Sequence, residues 1–381
     1  MPRTSDVVVV GGGVIGLAVA CYLSREKVRV TLVERGAIGQ EASWAAAGYL
    51  SFQGSSNLPG PRLELTRASA RMYESWIQEI GELTPIDTGF WRSGLLEVCL
   101  NEPEVTEARA RAGWQRAAGY AVEWLDASAV RQRQPALSEQ LPVHGALLFP
   151  EVAQVRPPRL LKALAEASVR RGVHMLEHSP VAAITREGDR VTGVELATGG
   201  HLEAPVVVNA AGCWASQLAP EMAAMPVRPI KGTIVLLEVQ EQPSRELVIS
   251  SAGSLYPRAD NKLLLGATVE DAGYDKRVKV AALHTLVEQG IALVPKLKNA
   301  TVVTAWAGLR PFSHDNLPYL GPVPDLDGAF VAAGHYRSGI LLAPITGLLL
   351  KEMILGERPT LPLEPYGMTR LRTATGSPLL R

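Results

Sequence analysis

Gly11, Gly13 and Gly16 are spaced as G-x-G-x-x-G between the run Val7-Val8-Val9-Val10 and an apolar-periodic stretch at 14–24, and Glu34 closes the next apolar run. These residue types at this spacing suit a diphosphate and a ribose. Gly11 permits a tight turn, Gly13 lets backbone approach a pyrophosphate, and Gly16 lets helix and strand pack closely. Val14 and Ile15 open the helix, whose unpaired N–H groups and partial positive charge face the phosphates. Glu34 can accept both ribose hydroxyl hydrogens of an adenosine, and it repels a 2′-phosphate. NADP is therefore disfavoured despite the adjacent Arg35. The pattern specifies an adenine dinucleotide without separating FAD from NAD.

A second set of chemistry-bearing residues lies about 300 positions later. Arg310 sits in Gly308-Leu309-Arg310-Pro311, and Arg337 in His335-Tyr336-Arg337-Ser338-Gly339. A guanidinium fork matches a carboxylate with two parallel hydrogen bonds, which lysine cannot do. Taken singly, either arginine reads more readily as half of a salt bridge, and it is the motif context that favours the carboxylate for Arg310. His314 and His335 read as structural loop histidines rather than as an acid or base. Trp306 and Tyr336 read as packing residues. Cys21, Cys99 and Cys213 form no CxxC pair and read as buried reduced thiols, as in a reducing compartment. No metal site is expected.

The elements that must position these groups follow from periodicity. Residues 7–10 and 28–33 read as strands buried on both faces, joined by the helix at 14–24 in a βαβ unit. Helices are expected at 62–81, 103–119, 155–172, 277–293 and 338–355. Strands are expected at 94–100, in a meander over 181–204, and at 206–208, 233–239, 262–267 and 328–334. The pattern predicts an α/β chain with an α+β second domain: a Rossmann-like dinucleotide-binding domain interleaved with an antiparallel-sheet substrate domain. The expected boundaries are 1–55, 150–222 and 315–365 for the first, 56–149 and 223–314 for the second, and a frayed tail at 366–381.

Composition narrows the partners. Of 381 residues, 47% are hydrophobic and 20% charged, so a large core is available. Lys plus Arg equals Asp plus Glu at 38 each, so no net basic field gathers nucleic acid or anionic lipid. No secretory leader is expected. The apolar stretch at 340–350 falls short of the ~20 residues that span a bilayer. A cytoplasmic homo-oligomer is expected, without nucleic-acid partners.

Four stretches together resemble the FAD-dependent glycine oxidase and D-amino-acid oxidase family. They are VVVVGGGVIGLAVACYLS with VTLVER, EASWAAAGYL, VVNAAGCWAS, and WAGLRPFSHDNLPYLGP with AAGHYRSGILLAP. The resemblance covers essentially the whole chain and implies non-covalent FAD. It places Ser43, Ala46, Ala47 and Gly48 along the ribityl chain and flavin ring, where small residues let a flat ring lie against backbone. It places Val181, Ala211 and Gly212 at the adenine side, and Gly334, Ser338, Gly339, Ile340 and Leu341 at the pyrimidine side of the flavin. There the helix N-terminus would steady negative charge at N1–C2=O on reduction. Arg310 resembles the family's carboxylate-binding arginine. Arg337 matches a glycine-oxidase position, and both arginines also border the flavin.

One departure bears on specificity. Close glycine oxidases carry a tyrosine where this chain has Ser254, but Tyr256 lies two residues on and shares its face in a strand. Tyr256 is therefore the candidate for a displaced pocket hydroxyl. The implied activity is oxidation of a small amino acid (glycine, sarcosine or a small D-amino acid) by hydride transfer to FAD. Reoxidation by oxygen would give hydrogen peroxide, and the resemblance carries a role in thiamine biosynthesis. The alternatives are a dehydrogenase passing electrons to a quinone or carrier, and a non-enzymatic FAD scaffold.

Overall fold

A computed structural model describes residues 5–53 and 59–372. Its first sheet has six strands in the order Tyr319–Pro322, Ala329–Ala333, Val206–Asn209, Val7–Val10, Val30–Val33 and His174–Leu176. All neighbours run parallel except the outermost hairpin, Tyr319–Pro322 with Ala329–Ala333. The valine run at the centre is explained by its two faces. Val7 and Val9 enter one apolar core with the helices Val14–Arg25, Pro157–Arg170 and Gly339–Ile354, whereas Val8 and Val10 enter another beneath the meander of Val181–Glu187, Arg190–Leu196 and His201–Glu203. A strand covered on both sides has no use for polar alternation.

The second sheet has eight strands in the order Thr301–Ser313, Val227–Glu238, Lys262–Gly266, Gly253–Pro257, Leu247–Ser250, Leu95–Cys99, Gly145–Phe149 and Glu123–Asp126. It is antiparallel except that Leu247–Ser250 runs parallel to Leu95–Cys99, joining segments distant in sequence. Val235, Leu255, Leu263 and Leu265 face the helix Val280–Leu293, while Ile234, Tyr256 and Leu264 face the first domain. A small sheet of Tyr49–Leu50, Ala153–Gln154 and Trp91–Arg92 sits between the two.

Two sequence expectations need correction. The helix Pro61–Leu83 was placed with the substrate domain, but its buried Leu63, Leu65, Tyr73, Trp76 and Ile80 share the core of the dinucleotide sheet. This apolar face packs on the helix Gly339–Ile354, which contains Pro344. Its missing N–H leaves the carbonyl of Ile340 without a helical donor. The Tyr73 hydroxyl donates to that carbonyl at 3.1 Å, and Ser69 Oγ donates to the carbonyl of Leu341 at 2.6 Å. The expected tail at 366–381 also starts too early. Tyr366 and Met368 are buried, the Tyr366 hydroxyl donates to Pro61 O at 2.7 Å, and Arg370 pairs with Asp315 at 2.7 Å. The rest of that tail, 373–381, and the expected domain boundary at 55/56 lie outside the described residues.

Among the described residues, no helix is long and apolar enough to cross a membrane.

Candidate active site

One cavity of about 630 Å³ runs from the C-terminal edge of the six-stranded sheet to the face of the eight-stranded one. At its first end the glycine turn is built as the spacing requires. Gly11 has φ +112°, and a Cβ there would stand 2.5 Å from Ala210 O; a Cβ on Gly16 would overlap the carbonyl of Gly11. Gly13 caps the helix Val14–Arg25, whose first turn holds no acidic residue to neutralise it. The Val14 N–H donates to Ser43 Oγ at 3.0 Å. Glu34 is buried at the end of Val30–Val33, and its carboxylate accepts from Gly12 N at 2.7 Å and Gly36 N at 3.0 Å. Arg35 stacks over Trp214 at 3.5 Å and pairs with Glu41 at 2.6 Å. It is thereby occupied away from any 2′-phosphate.

Val181, Ala211 and Gly212 line this same end, with Val14 and Ile15 at the helix start. The middle of the cavity is walled by Ser43, Ala46, Ala47 and Gly48, and the far side by Gly339 and Ile340. A narrow, small-residue wall between two helix N-termini fits a dinucleotide carrying a flat ring. Four expected contacts do not line the cavity. Gly16 packs behind the turn. Gly334 has φ +79° and its carbonyl accepts from Ser313 Oγ at 3.2 Å, so it shapes a turn. Ser338 Oγ accepts from Arg62 at 3.0 Å, and the Leu341 side chain lies in the apolar core.

Arg310, Arg337 and Tyr256 converge at the other end, with Tyr49 and Tyr336. Arg310 Nη1 donates to Thr268 O at 3.1 Å and Lys231 O at 3.3 Å. Among the described residues its other donors have no protein acceptor. Burial, and then the nearby Arg337, pull its pKa below the ordinary value, but an arginine starts so high that it remains a cation. A Cβ on Gly232 would collide with the Arg310 guanidinium, so glycine there makes the space in which the fork lies. Tyr256 and Ser254 share the cavity face, and the Tyr256 ring stands 5.7 Å from that of Tyr49. Burial pushes the Tyr256 hydroxyl well above its usual range, so it stays protonated as a donor.

Among the described residues the carboxylates lining the cavity are Glu34 and Glu41, both at the end of the glycine turn. His335 also lines it, but its Nε2 lies 3.0 Å from Thr346 Oγ1, and burial pulls its pKa to about 3. It is neutral at physiological pH. His314 does not line the cavity; its Nδ1 lies 3.4 Å from the Tyr319 hydroxyl. Trp306 lies behind the wall and donates from Nε1 to Ala45 O at 3.0 Å. Tyr336 lines the cavity, with backbone φ +48° and its ring edge-on to Phe312 at 4.9 Å. The three cysteines are buried and free, and the Cys213 thiol donates to Leu309 O at 3.3 Å, its pKa pushed up by burial to about 12.

Sequence reasoning missed Tyr49, Gly232 and the hairpin residues Ser250 and Ser251. Only Gly232 left a signal, as a glycine inside an otherwise apolar strand, which marks a close approach.

Comparison with known proteins agrees with this geometry. Residues 6–353 match the family described as FAD dependent oxidoreductase (DAO). A glycine oxidase of Geobacillus kaustophilus is 35% identical over 97% of this chain and 98% of its own. The crystal structure of glycine oxidase from Geobacillus kaustophilus superposes with a TM-score of 0.92, covering 96% of this chain and 99% of that one at 33% identity. The bifunctional protein ThiO/ThiG of Synechocystis is 34% identical over 100% of this chain, which spans 56% of it. The hydrogen cyanide synthase subunit HcnC of Pseudomonas aeruginosa is 32% identical over 98% of this chain and 97% of its own. With the glycine turn, the small-residue wall and the half-buried arginine fork in one cavity, the chain belongs to the FAD-dependent oxidoreductases of the glycine oxidase and D-amino-acid oxidase family.

Proposed function

We propose that the protein oxidises a small amino acid, glycine or sarcosine or a small D-amino acid, with molecular oxygen as the final acceptor and hydrogen peroxide as a product. The observation that carries this reading is Arg310: a half-buried cation in the cavity, with donors left over and, among the described residues, no carboxylate beside it. The substrate supplies the missing anion. Bound in this cavity, FAD provides the two-electron acceptor for the substrate's α-carbon hydrogen.

The chain's own residues bind and orient. The Arg310 fork holds the carboxylate, and the carbonyls of Thr268 and Lys231 hold Nη1, so the fork does not turn. Arg337, on the opposite wall, adds positive charge at the same end, with Tyr336 as a ring partner at 5.3 Å. Tyr256 offers a protonated hydroxyl from the substrate strand. Among the described residues no general base stands at this end, since His335 is neutral and bonded to Thr346. The amine therefore has to arrive or become neutral without one. Gly339 at the N-terminus of Gly339–Ile354 supplies the positive helix end that favours negative charge on the ring.

The glycine oxidase and ThiO/ThiG relatives support glycine as a substrate and a place in thiamine biosynthesis. A second reading is a dehydrogenase, in which the same half-reaction passes electrons to a quinone or carrier. One experiment separates the two. The holoenzyme is mixed anaerobically with glycine, sarcosine or D-alanine, and the flavin band is followed; air is then admitted and peroxide measured. Rapid bleaching followed by rapid reoxidation with stoichiometric peroxide is expected. Bleaching with slow reoxidation refutes the oxidase reading, and no bleaching by any of the three refutes the substrate class.

A further inference from the structure

Arg258 follows the strand Gly253–Pro257 and is 6% exposed, yet it does not line the cavity. Its Nη1 donates to Gln154 Oε1 at 3.1 Å and to Val155 O at 3.2 Å, and its Nη2 donates to Ala47 O. All three acceptors are neutral. The nearest acid, Asp260, is ion-paired with Arg156 at 2.6 Å. Among the described residues no carboxylate pairs with Arg258. Burial, then Arg156, pull its pKa down to about 10, against a small opposing pull from Asp260, so the charge persists at neutral pH.

A buried cation without a counter-ion is costly, and a neutral amide could make similar bonds. The expense points to a use for the charge. The acceptors indicate where that use lies. Ala47 belongs to the small-residue wall at 45–48, and its neighbour Gly48 receives the Val155 N–H at 2.9 Å. The guanidinium thus stands one backbone carbonyl behind the wall against which a flavin ring would lie. It fastens that wall to the small central sheet through Gln154 and Val155 and to the substrate sheet through its own strand.

We propose that Arg258 is a positioning residue for the flavin, holding residues 45–48 from behind and favouring the negative charge that bound FAD gains on two-electron, one-proton reduction. This inference rests on the flavin site and not on the identity of the amino acid.

The test uses the full-length holoenzyme and three variants, with no amino-acid substrate present. Arg258→Lys keeps the charge and loses the fork, whereas Arg258→Met loses both. FAD affinity is measured by flavin fluorescence on dilution, and the midpoint potential of the bound flavin by reduction against indicator dyes. Arg258→Lys is expected to weaken FAD binding by roughly tenfold with its potential near that of wild type. Arg258→Met is expected to weaken it at least as much and to lower the potential. Should Arg258→Met fail to fold, Arg258→Gln supplies the neutral arm with a hydrogen-bonding group retained. A neutral variant with the wild-type potential overturns the electrostatic role. FAD affinity within twofold of wild type in both Arg258→Lys and the neutral variant overturns the positioning role.

Discussion

Replacing Gly232 by alanine perturbs the carboxylate site without altering a single charge. The new Cβ would fall on the Arg310 guanidinium, overlapping Nη1, Nη2 and the central carbon together. The backbone around Gly232 is ordinary strand, paired with Gly308, so the fork must yield rather than the sheet. Nη1 is tethered to Thr268 O and Lys231 O, and displacement of the fork breaks the register in which two donors meet a carboxylate. One charge-assisted hydrogen bond contributes about 1.5–3 kcal/mol. At about 1.4 kcal/mol per tenfold, losing one of the two raises KM by roughly 10- to 150-fold. Alanine in a strand interior is about 0.5–1 kcal/mol better than glycine, so Tm should not fall. The assay is oxygen consumption against glycine and sarcosine, with an anaerobic titration of the flavin band to separate binding from turnover. A KM within twofold of wild type, in a variant with full flavin content, would refute the assignment of Arg310 as the carboxylate anchor.

Other outcomes follow from neighbouring features. Gly11→Ala forces a side chain into φ +112° and against Ala210 O, so the purified protein should be colourless, as read from its flavin-to-protein absorbance ratio. Glu34→Gln exchanges a carboxylate that takes two backbone N–H groups for an amide, and FAD should bind about tenfold more weakly in a fluorescence titration. His335 has a folded pKa of about 3 against an ordinary value of ~6.5. Between these values the unfolded chain binds the extra proton, so stability falls as pH drops from about 6.5 towards 3, by at most about 1.4 kcal/mol per pH unit. His335→Asn should flatten that limb in urea unfolding curves; an unchanged slope would contradict the neutral buried state. Tyr256→Phe removes one hydroxyl donor and should raise KM by roughly 2- to 10-fold, whereas an unchanged KM assigns Tyr256 to packing.

What could be read from sequence was local. The glycine turn, Glu34, the helix Pro157–Arg170 opening on two prolines, and the three-stranded meander with its Gly188 and Gly199-Gly200 turns all depend on neighbours in the chain. The 13-residue strand Thr301–Ser313 was not legible as a strand, because Gly308 and Pro311 punctuate it and residues 301–304 are exposed. Pro311 is tolerated because this is the edge strand of its sheet. The docking of Pro61–Leu83 joins it to the helix Gly339–Ile354, far along the chain, and the apolar periodicity of the helix does not say which core it enters. In the site, Arg310 was found through its motif, while Gly232 and Arg258 were not, since each matters only for what it touches across the sheets. Of the residues at 334–341, Gly339 and Ile340 line the cavity, whereas Gly334, Ser338 and Leu341 serve the turn and the core behind it.

The six-stranded sheet also sets the order of events during synthesis. Its central strand Val7–Val10 is made long before Ala329–Ala333 and the helix Gly339–Ile354, which complete the sheet and its cavity. A ribosome-bound chain that stops before Ile340 owns the diphosphate turn and lacks the opposite wall. A dinucleotide therefore meets its complete cavity only after the chain has been synthesised past this helix, and until then the apolar face of the six-stranded sheet lacks the cover that the helix gives.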